Sequence, residues 1–358
     1  MPRTTTADAL RTFGESVLMA TGVPQSDAFL LADSLVAAEL WGHSSHGMLR
    51  LPWYVERLRS GAMKAVTQAE TVVDNGAMVV LDGRDGIGQV LTAQATQLGV
   101  ERARKHGISA IGVRNSNHFG TAAYFTREAA KEGCVAFMAT NASPAMAPWG
   151  GREKLIGTNP WSISAPAGRH GVAVMDIANT AVARGKIYLA AERGEPIPDS
   201  WAADERGRPT TNAKDAIHGL ILPMAGHKGY IISFMMDVLA GVLTGSQFGS
   251  GVAGPYDPTR QSGCGHMVIT IDVSAMMPRE EFERRMEALI DEVKAVPAAD
   301  GVSEIFFPGE IEDRNTAANL KKGIQVADQT WQSLVQLAEQ TNTPLPGVIE
   351  PAQQGATA

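Results

Sequence analysis

The chain has 358 residues, of which 44% are hydrophobic and 19% are charged, as is usual in soluble globular proteins. A formal net charge of -7 argues against a nucleic-acid partner, and no apolar run reaches the roughly 18 residues of a membrane span. Two cysteines, Cys134 and Cys264, are too few for a disulfide framework. Because the N-terminal segment also lacks a secretory signal, we expect a cytoplasmic protein.

The first part of the chain has the periodicity of helices. An amphipathic pattern predicts a helix over residues 6–21, and Pro24 begins a second helix that continues to about residue 40. A third helix is predicted after the segment Gly42–Gly47, with Pro52 in its first turn. That segment is therefore a short turn held between two rigid elements.

From about residue 70 the pattern becomes that of an α/β protein. Two apolar stretches flank Asn75-Gly76, which predicts a β-hairpin. Helical and strand patterns then alternate, which predicts helices layered on a sheet. A Gly- and Pro-rich segment, residues 141–160, is long enough to indicate a functional or lid-like loop. The predicted elements before it are helices at 88–105 and 122–132 and strands at 108–113 and 134–140.

The second half alternates less regularly. Its predicted strands lie at 161–165, 172–177, 266–273 and 304–307, and its predicted helices at 183–191, 228–243, 278–296 and 328–339. A polar loop is expected over 195–212 and disorder after Pro351. Gly249, Gly251 and Gly254 have the spacing of a dinucleotide fingerprint. No strand precedes them, however, and prolines follow where a helix should begin, which favours a flexible loop.

Two histidine segments about 70 residues apart are the strongest functional signal. The first is Gly42-His43-Ser44-Ser45-His46-Gly47, followed by Arg50, and the second is Asn115-Ser116-Asn117-His118-Phe119-Gly120. Histidine is suited to proton transfer near neutral pH, and a guanidinium is suited to a planar carboxylate. The two segments therefore predict acid/base chemistry on a small anionic substrate.

Two structural alternatives apply to these histidines. His43 and His46 are three residues apart, a possible metal-ligand spacing, but no cysteine lies near them in sequence and we expect no metal. Alternatively, His46 and His118 could each hydrogen-bond the turn that carries it. The shared context of the two segments favours the functional interpretation.

Two further segments are candidates for ligand binding. Asp176 ends a predicted buried strand, where it could orient an imidazole, bind a ribose hydroxyl or cap the following turn. Gly226-His227-Lys228-Gly229 begins an apolar helix, and its free amides together with Lys228 could bind a phosphate. A solvated lysine is the alternative there.

Together these segments resemble the malate/L-lactate dehydrogenase family, whose NAD(P)-dependent oxidoreductases do not have a Rossmann fold. The matching stretches follow the family's order from residue 44 to about 310. They are SSHGMLRLPWYV, VRNSNHFGTAAYF, PWGGREKLIGTNP, MDIANT with GKI after it, IPDSWAADERGRPT, LPMAGHKGY and FPGE. The resemblance implies a three-layer α/β/α fold of the sulfolactate dehydrogenase type, with a mixed seven-stranded sheet.

The resemblance also implies the roles of individual residues. It assigns substrate binding and proton transfer to Ser45, His46, Arg50 and His118. It assigns the lining of an NAD or NADP site to Thr158, Asn159, Asp176, Ile177, Ala178, Asn179, Thr180, His227, Lys228, Gly309 and Glu310. The chain departs from the family where Ile177-Ala178-Asn179-Thr180 replaces the more frequent Ala-Thr-Ser, and at Ala142, a lysine in some members. These departures leave the choice of cofactor and of substrate open.

We therefore expect an NAD(P)-dependent oxidoreductase that acts on a small 2-hydroxy or 2-oxo acid. Reduction of a cyclic imine such as piperideine-2-carboxylate is the alternative within the same fold. A metal-dependent hydrolase or lyase that uses the histidines, and a protein that binds the cofactor without turnover, are the alternatives from other classes.

The resemblance further implies a homodimer with its site near the subunit interface. Aromatic and apolar residues beside the first histidine segment are candidate interface anchors, with a core role as the alternative. These residues are Trp41, Leu49, Leu51, Trp53 and Tyr54. The expected domains are a helical substrate and dimerisation domain, residues 1–70 with 311–358, and an NAD(P)-binding α/β domain, residues 71–310.

Overall fold

A computed structural model describes residues 3–349, so the disorder predicted after Pro351 lies outside the described residues. The helices are α1 (Ala7–Ala20), α2 (Gln25–Trp41), α3 (Leu51–Ser60), α4 (Gly88–His106), α5 (Ala122–Lys131), α6 (Arg184–Arg193), α7 (Ala213–His218), α8 (His227–Asp237), α9 (Arg279–Ala295), α10 (Glu310–Lys322) and α11 (Asp328–Thr341). The strands are β1 (Arg3–Thr5), β2 (Glu70–Asp74), β3 (Met78–Asp82), β4 (Ile108–Ser116), β5 (Cys134–Thr140), β6 (Trp161–Pro166), β7 (Val172–Ile177), β8 (Ala202–Ala203), β9 (Leu220–Ile221), β10 (Cys264–Asp272) and β11 (Ile324–Val326).

A mixed seven-stranded sheet forms the centre of the molecule. Its order is β2-β3-β4-β10-β5-β6-β7; β3 and β4 are parallel, and the other neighbouring pairs are antiparallel. Helices α4 and α5 pack on one face, where Ile111, Val113 and Val268 lie in a shared apolar core. On the other face, Gly265 touches the segment after α8, and a Cβ there would lie 1.7 Å from the Ala240 carbonyl oxygen. The predicted three-layer fold is therefore confirmed.

A second core joins the two ends of the described chain. Helices α1, α2, α3 and α11 bury Leu10, Leu35, Leu51 and Leu334 against one another. Strand β1 pairs with β11, and α10 packs along α2. The predicted grouping of residues 1–70 with 311–358 stays a prediction, and this shared core is its physical basis.

The structure differs from the predicted elements mainly after residue 237. The expected helix over 228–243 changes its hydrogen-bonding pattern, because α8 ends at Asp237 and a π-helical turn follows at Val238–Val242. Residues 304–307 are not a strand, although Val174 donates its amide to the Pro308 carbonyl oxygen just beyond them. Phe307 is instead buried against Ala167 and Ile290. Aromatic residues favour strands, but here Phe307 is buried by side-chain packing and its segment does not pair with a strand.

Helix α10 was not predicted, because its sequence has no apolar stripe. None of its residues is buried, so hydrophobic periodicity carries no signal there. Its first turn is nevertheless acidic and its last turn basic, with Lys321 and Lys322, which complements the helix dipole. That charge pattern, after Gly309 with φ 96°, is the signal that could have predicted it. The short elements α7, β1, β8, β9 and β11 were not predicted either.

None of the helices within residues 3–349 combines the length and the apolar character that a membrane crossing requires. The two cysteines, Cys134 and Cys264, are free and buried.

Candidate active site

The first histidine segment is held in place by a buried carboxylate. After α2 ends at Gly42 with φ 86°, two short 3-10 turns, Ser44–His46 and Met48–Arg50, lead into α3. The Glu39 carboxylate accepts hydrogen bonds from the Ser44 hydroxyl (2.7 Å) and the Met48 amide (2.9 Å). A Cβ on Gly47 would lie 2.2 Å from Glu39 Oε1, so the turn closes tightly around the carboxylate. Sequence reasoning missed Glu39, although an acid inside an apolar helix was a signal.

We expect Glu39→Ala to lower the free energy of unfolding by about 1–3 kcal/mol, because the buried Met48 amide loses its acceptor. Glu39→Gln keeps an amide oxygen for Met48 and should cost less. Urea denaturation followed by circular dichroism measures both variants. Equal losses for alanine and glutamine would show that these hydrogen bonds do not stabilise the turn.

The second histidine segment is fixed by Asn117 and Arg57. Asn117 is buried where β4 ends, and its amide donates to the carbonyl oxygens of Asp85 (3.0 Å) and Gly86 (2.9 Å). Arg57 of α3, 1% exposed, donates to the Asn117 side-chain oxygen at 2.9 Å. The residue before His118 is therefore bonded both to the loop before α4 and to α3. Arg57 was not among the predicted site residues.

The two histidine segments meet, as the prediction of a shared site requires. The rings of His46 and His118 are stacked, with centroids 5.9 Å apart and an angle of 19° between their planes. His118 Nδ1 lies 2.6 Å from the Tyr54 hydroxyl, and His46 Nδ1 lies 3.0 Å from the Ser45 hydroxyl. Burial, and then the charge of Arg50, lowers the pKa of His46 to about 3 and that of His118 well below its ordinary value. Both rings are therefore neutral at physiological pH.

Arg50 lies beside this pair as an uncompensated cation. Its Nε donates to the Ser45 carbonyl oxygen at 2.7 Å, and its guanidinium lies 4.4 Å from the centre of the Trp53 ring. Within residues 3–349, no carboxylate forms an ion pair with it. Burial lowers its pKa from the ordinary value. A positioned guanidinium without a counter-charge is suited to an anionic ligand.

Asp176 connects the end of β7 to the helix that follows His118. Its Oδ2 accepts the Ala123 amide at 2.8 Å, in the first turn of α5. An acceptor at a helix N-terminus is favourable, yet burial raises the pKa of Asp176 to about 6. The observed contact is a cap on α5 and not on the turn after Asp176, which was the predicted capping role, and it brings the end of β7 close to the His118 turn.

Asn159 and Asn179 join the remaining segments that were predicted to line the cofactor site. Asn179 donates to the carbonyl oxygens of Asn159 (2.7 Å) and Thr158 (3.2 Å), and its backbone oxygen accepts the Met224 amide. Asn159 donates to the Ser233 carbonyl oxygen of α8 at 2.9 Å. Both side chains are fully buried. Because their side-chain amides donate to backbone carbonyl oxygens, they fix the segments around residues 158 and 179 beside α8.

Three cations, Lys154, Arg184 and Lys228, lie close in sequence to these segments. Lys228 lies in the first turn of α8, where Gly226 has φ 66° and the His227 ring makes an edge contact with Trp149. Lys154 and Arg184 line one small cavity, and burial together with the Arg184 charge lowers the pKa of Lys154. None of the three forms an ion pair within the described residues. Unpaired cations of this kind fit the phosphates of a nicotinamide dinucleotide.

Gly309 and Glu310 lie at the edge of the sheet beyond β7. The Glu310 carboxylate accepts hydrogen bonds from Lys294 (2.7 and 2.8 Å) and from Arg314 (2.7 Å). The Gly309 carbonyl oxygen accepts one from Arg127 at 3.3 Å. The Glu310 side chain is thus engaged in ion pairs, and its predicted part in cofactor binding stays a prediction.

Among residues 3–349, no group of three or more His, Cys, Asp or Glu side chains is arranged to hold a metal ion. His43 faces Glu312 of α10, with 3.4 Å between Nε2 and Oε1.

Comparison with known proteins identifies the family. The profile of the malate/L-lactate dehydrogenase family matches residues 5–335. The chain is 37% identical to malate/(S)-sulfolactate dehydrogenase of Methanothermus fervidus over 329 residues, which are 92% of this chain and 95% of that protein.

Solved structures agree with this match. Sulfolactate dehydrogenase from Methanocaldococcus jannaschii superposes with a TM-score of 0.91 and 34% identity, covering 98% of this chain and 100% of that one. Delta1-piperideine-2-carboxylate reductase from Pseudomonas syringae pvar. tomato gives a TM-score of 0.82 and 29% identity, covering 94% and 100%. The predicted resemblance is confirmed, and the chain belongs to the malate/L-lactate dehydrogenase family.

Proposed function

We propose that this chain is an NAD(P)-dependent oxidoreductase that interconverts a small 2-hydroxy acid and the corresponding 2-oxo acid. The observation that carries the proposal is the unpaired Arg50 guanidinium beside two neutral, stacked imidazoles. A carboxylate bound to Arg50 would present the oxygen on its neighbouring carbon to a histidine. Relatives named malate/(S)-sulfolactate dehydrogenase and L-sulfolactate dehydrogenase act on compounds of this class.

Each residue of the site has a part in this reaction. Arg50 and Ser45 hold the substrate carboxylate, and His118 exchanges the proton on the C2 oxygen. His46, stacked on His118, hydrogen-bonds the same oxygen or the carboxylate. Hydride exchange with C2 is the chemistry that a bound nicotinamide supplies.

The cofactor would be held by the segments that meet at the start of α8. Lys154, Arg184 and Lys228 are suited to its phosphates, because each is a cation without an ion pair within residues 3–349. Thr158 and the turn after Asp176 would lie along the rest of it. Relatives are named as using either dinucleotide: an NADP(+) sulfolactate dehydrogenase of Chromohalobacter salexigens and an NAD(+) ureidoglycolate dehydrogenase of Escherichia coli O157:H7.

A substrate screen tests the proposal. Malate, lactate and sulfolactate are incubated with NAD or NADP, and the absorbance of the reduced cofactor is followed. We expect turnover with at least one of these acids, or with the corresponding 2-oxo acid and the reduced cofactor. Cofactor binding without turnover across the panel would support a binding protein instead. Activity that needs no nicotinamide and is lost with a chelator would support a metal-dependent hydrolase or lyase.

A second candidate is reduction of a cyclic imine acid. The structural match to the piperideine-2-carboxylate reductase favours it, because Arg50 could bind the carboxylate of such a compound equally well. Piperideine-2-carboxylate with NADPH separates the two candidates. A kcat/KM well above that for every 2-oxo acid would establish the imine as the preferred substrate.

We also propose a homodimer, but with a different basis from the predicted one. Of the predicted anchors, Trp41, Leu51 and Tyr54 are buried inside the subunit, whereas Leu49 and Trp53 are half-buried. Helix α8 instead exposes an apolar face, with Ile231 52%, Phe234 46% and Met235 46% exposed. Apolar patches of this kind often mark protein interfaces.

We expect light scattering at micromolar concentration to give a dimer mass, and Phe234→Glu to shift the protein towards the monomer. Leu320→Glu, on the exposed face of α10, is the matched control and should remain a dimer. A monomer mass for the unmodified protein would reject the proposal.

A cytoplasmic location is proposed as well, on the basis of the two free cysteines.

A further inference from the structure

Tyr54 of α3 touches His118 although 64 positions separate them in sequence. Its hydroxyl oxygen lies 2.6 Å from His118 Nδ1, and its side chain is 1% exposed. The amide of Gly120 lies 3.2 Å from the same nitrogen and is directed at it. A backbone N–H can only donate, so this contact requires a lone pair on Nδ1.

The other ring nitrogen of His118 is in a different environment. Within residues 3–349, Nε2 has no hydrogen-bond partner, and the His118 side chain is only partly buried. A neutral imidazole carries one proton, and its position follows from the hydrogen bond that the opposite nitrogen makes. Two groups able to donate lie within hydrogen-bond distance of Nδ1, and among residues 3–349 none lies within that distance of Nε2.

We propose that Tyr54 and the Gly120 amide hold resting His118 in the tautomer that carries its proton on Nε2, and that Tyr54 is a positioning residue. The inference deepens the proposed function, in which His118 faces the C2 oxygen. It assigns a chemical state to the nitrogen that is free to meet the substrate.

A buried amide next to Tyr54 is consistent with this direction of hydrogen bonding. Gln89 of α4 is fully buried, and neither of its side-chain polar atoms has a hydrogen-bond partner within residues 3–349. Burial raises the pKa of Tyr54 to about 12, and the nearby Gln89 side chain partly offsets this rise. An amide N–H turned towards Tyr54 Oη would leave the phenolic proton for His118.

The tautomer gives the His118 ring a different starting state in each direction of the reaction. A proton on Nε2 gives the carbonyl oxygen of a 2-oxo acid a hydrogen-bond donor. To accept the hydroxyl proton of a 2-hydroxy acid at Nε2, the neutral ring must first hold its own proton at Nδ1. Tyr54 can accept a hydrogen bond from that position by rotating its hydroxyl, whereas the Gly120 amide cannot.

Long-range ¹H–¹⁵N correlation spectra of the full chain labelled with ¹⁵N-histidine test the tautomer directly, with His118→Gln to assign the signals. At pH 7.5 we expect the unmodified protein to show His118 protonated on Nε2. Tyr54→Phe should increase the population protonated on Nδ1. Tyr124→Phe removes a hydroxyl that bonds Asp33 at 2.7 Å, and it should leave the His118 signals unchanged.

Kinetics provide a second measurement. Tyr54→Phe should lower kcat/KM about 3- to 10-fold, the range for a lost hydrogen bond to a neutral group. The fold decrease in kcat/KM must be the same for reduction of the 2-oxo acid and for oxidation of the 2-hydroxy acid, because the overall equilibrium is fixed.

Protonation of resting His118 on Nδ1 would overturn the inference. An unchanged tautomer population in Tyr54→Phe would overturn the part given to Tyr54. Because the wild-type spectrum needs only His118→Gln for its assignment and no turnover, it tests the tautomer even if Tyr54→Phe does not fold. A protein with the expected spectrum but no oxidoreductase activity would contradict the proposed function and not the tautomer.

Discussion

Replacing His118 with alanine is expected to lower kcat about 10²- to 10⁴-fold, the range for a lost general acid or base. The reason is geometric: His118 is fixed by Tyr54, by the Gly120 amide and by the bonded turn that precedes it. Within residues 3–349, the His46 side chain has a hydrogen-bond contact only with Ser45, its neighbour in sequence. Steady-state kinetics with saturating cofactor measure the loss, and cofactor affinity should be retained.

His46→Ala is the matched control for this prediction, because it removes the other ring of the same stack. We expect a smaller fall in kcat and a larger rise in substrate KM. If His118→Ala keeps a near-normal kcat while His46→Ala abolishes it, the two roles are exchanged. If both variants remain active, neither histidine transfers the proton.

Replacing Arg50 with alanine is expected to raise substrate KM about 10- to 100-fold, with a smaller effect on kcat. The guanidinium has no carboxylate partner within residues 3–349, so its loss leaves no buried acid unpaired and the fold should survive. What the variant loses is the charge that meets the substrate carboxylate. Initial rates over a range of substrate concentrations measure this, and the KM for the cofactor serves as an internal reference.

Arg50→Lys separates charge from geometry. Lysine keeps the positive charge but cannot form the two parallel hydrogen bonds of a guanidinium, so an intermediate KM is expected. An unchanged substrate KM in Arg50→Ala would mean that the carboxylate does not bind to Arg50.

Local patterns predicted much of the fold, because many of its helices, strands and turns depend on the residues of one short stretch of sequence. The hairpin at Asn75-Gly76, the helix starting near Pro24 and the strand at 108–113 belong to this group. The meeting of His46 with His118 was also predictable, from the type of turn that carries each of them. Helix α10 was not, since it buries none of its residues.

The supporting residues of the site are different in kind. Tyr54 reaches His118 and Arg57 reaches Asn117 across about 60 positions. Neither contact repeats with a helical or strand period, so a single sequence carries no trace of the partner. Glu39 acts over a short distance, but its effect depends on the tight closure of the chain at Gly47. Such groups become visible only when the backbone path is known.

The pairing of β1 with β11 has a consequence for the order in which the protein can be completed during synthesis. Strands β2 to β10 lie between residues 70 and 272, so the central sheet can assemble while the ribosome is still translating. The core of α1, α2 and α3 also needs Ile324, Val326 and Leu334, which emerge much later. Because His46 lies between α2 and α3, a nascent chain would finish its sheet before its reactive centre.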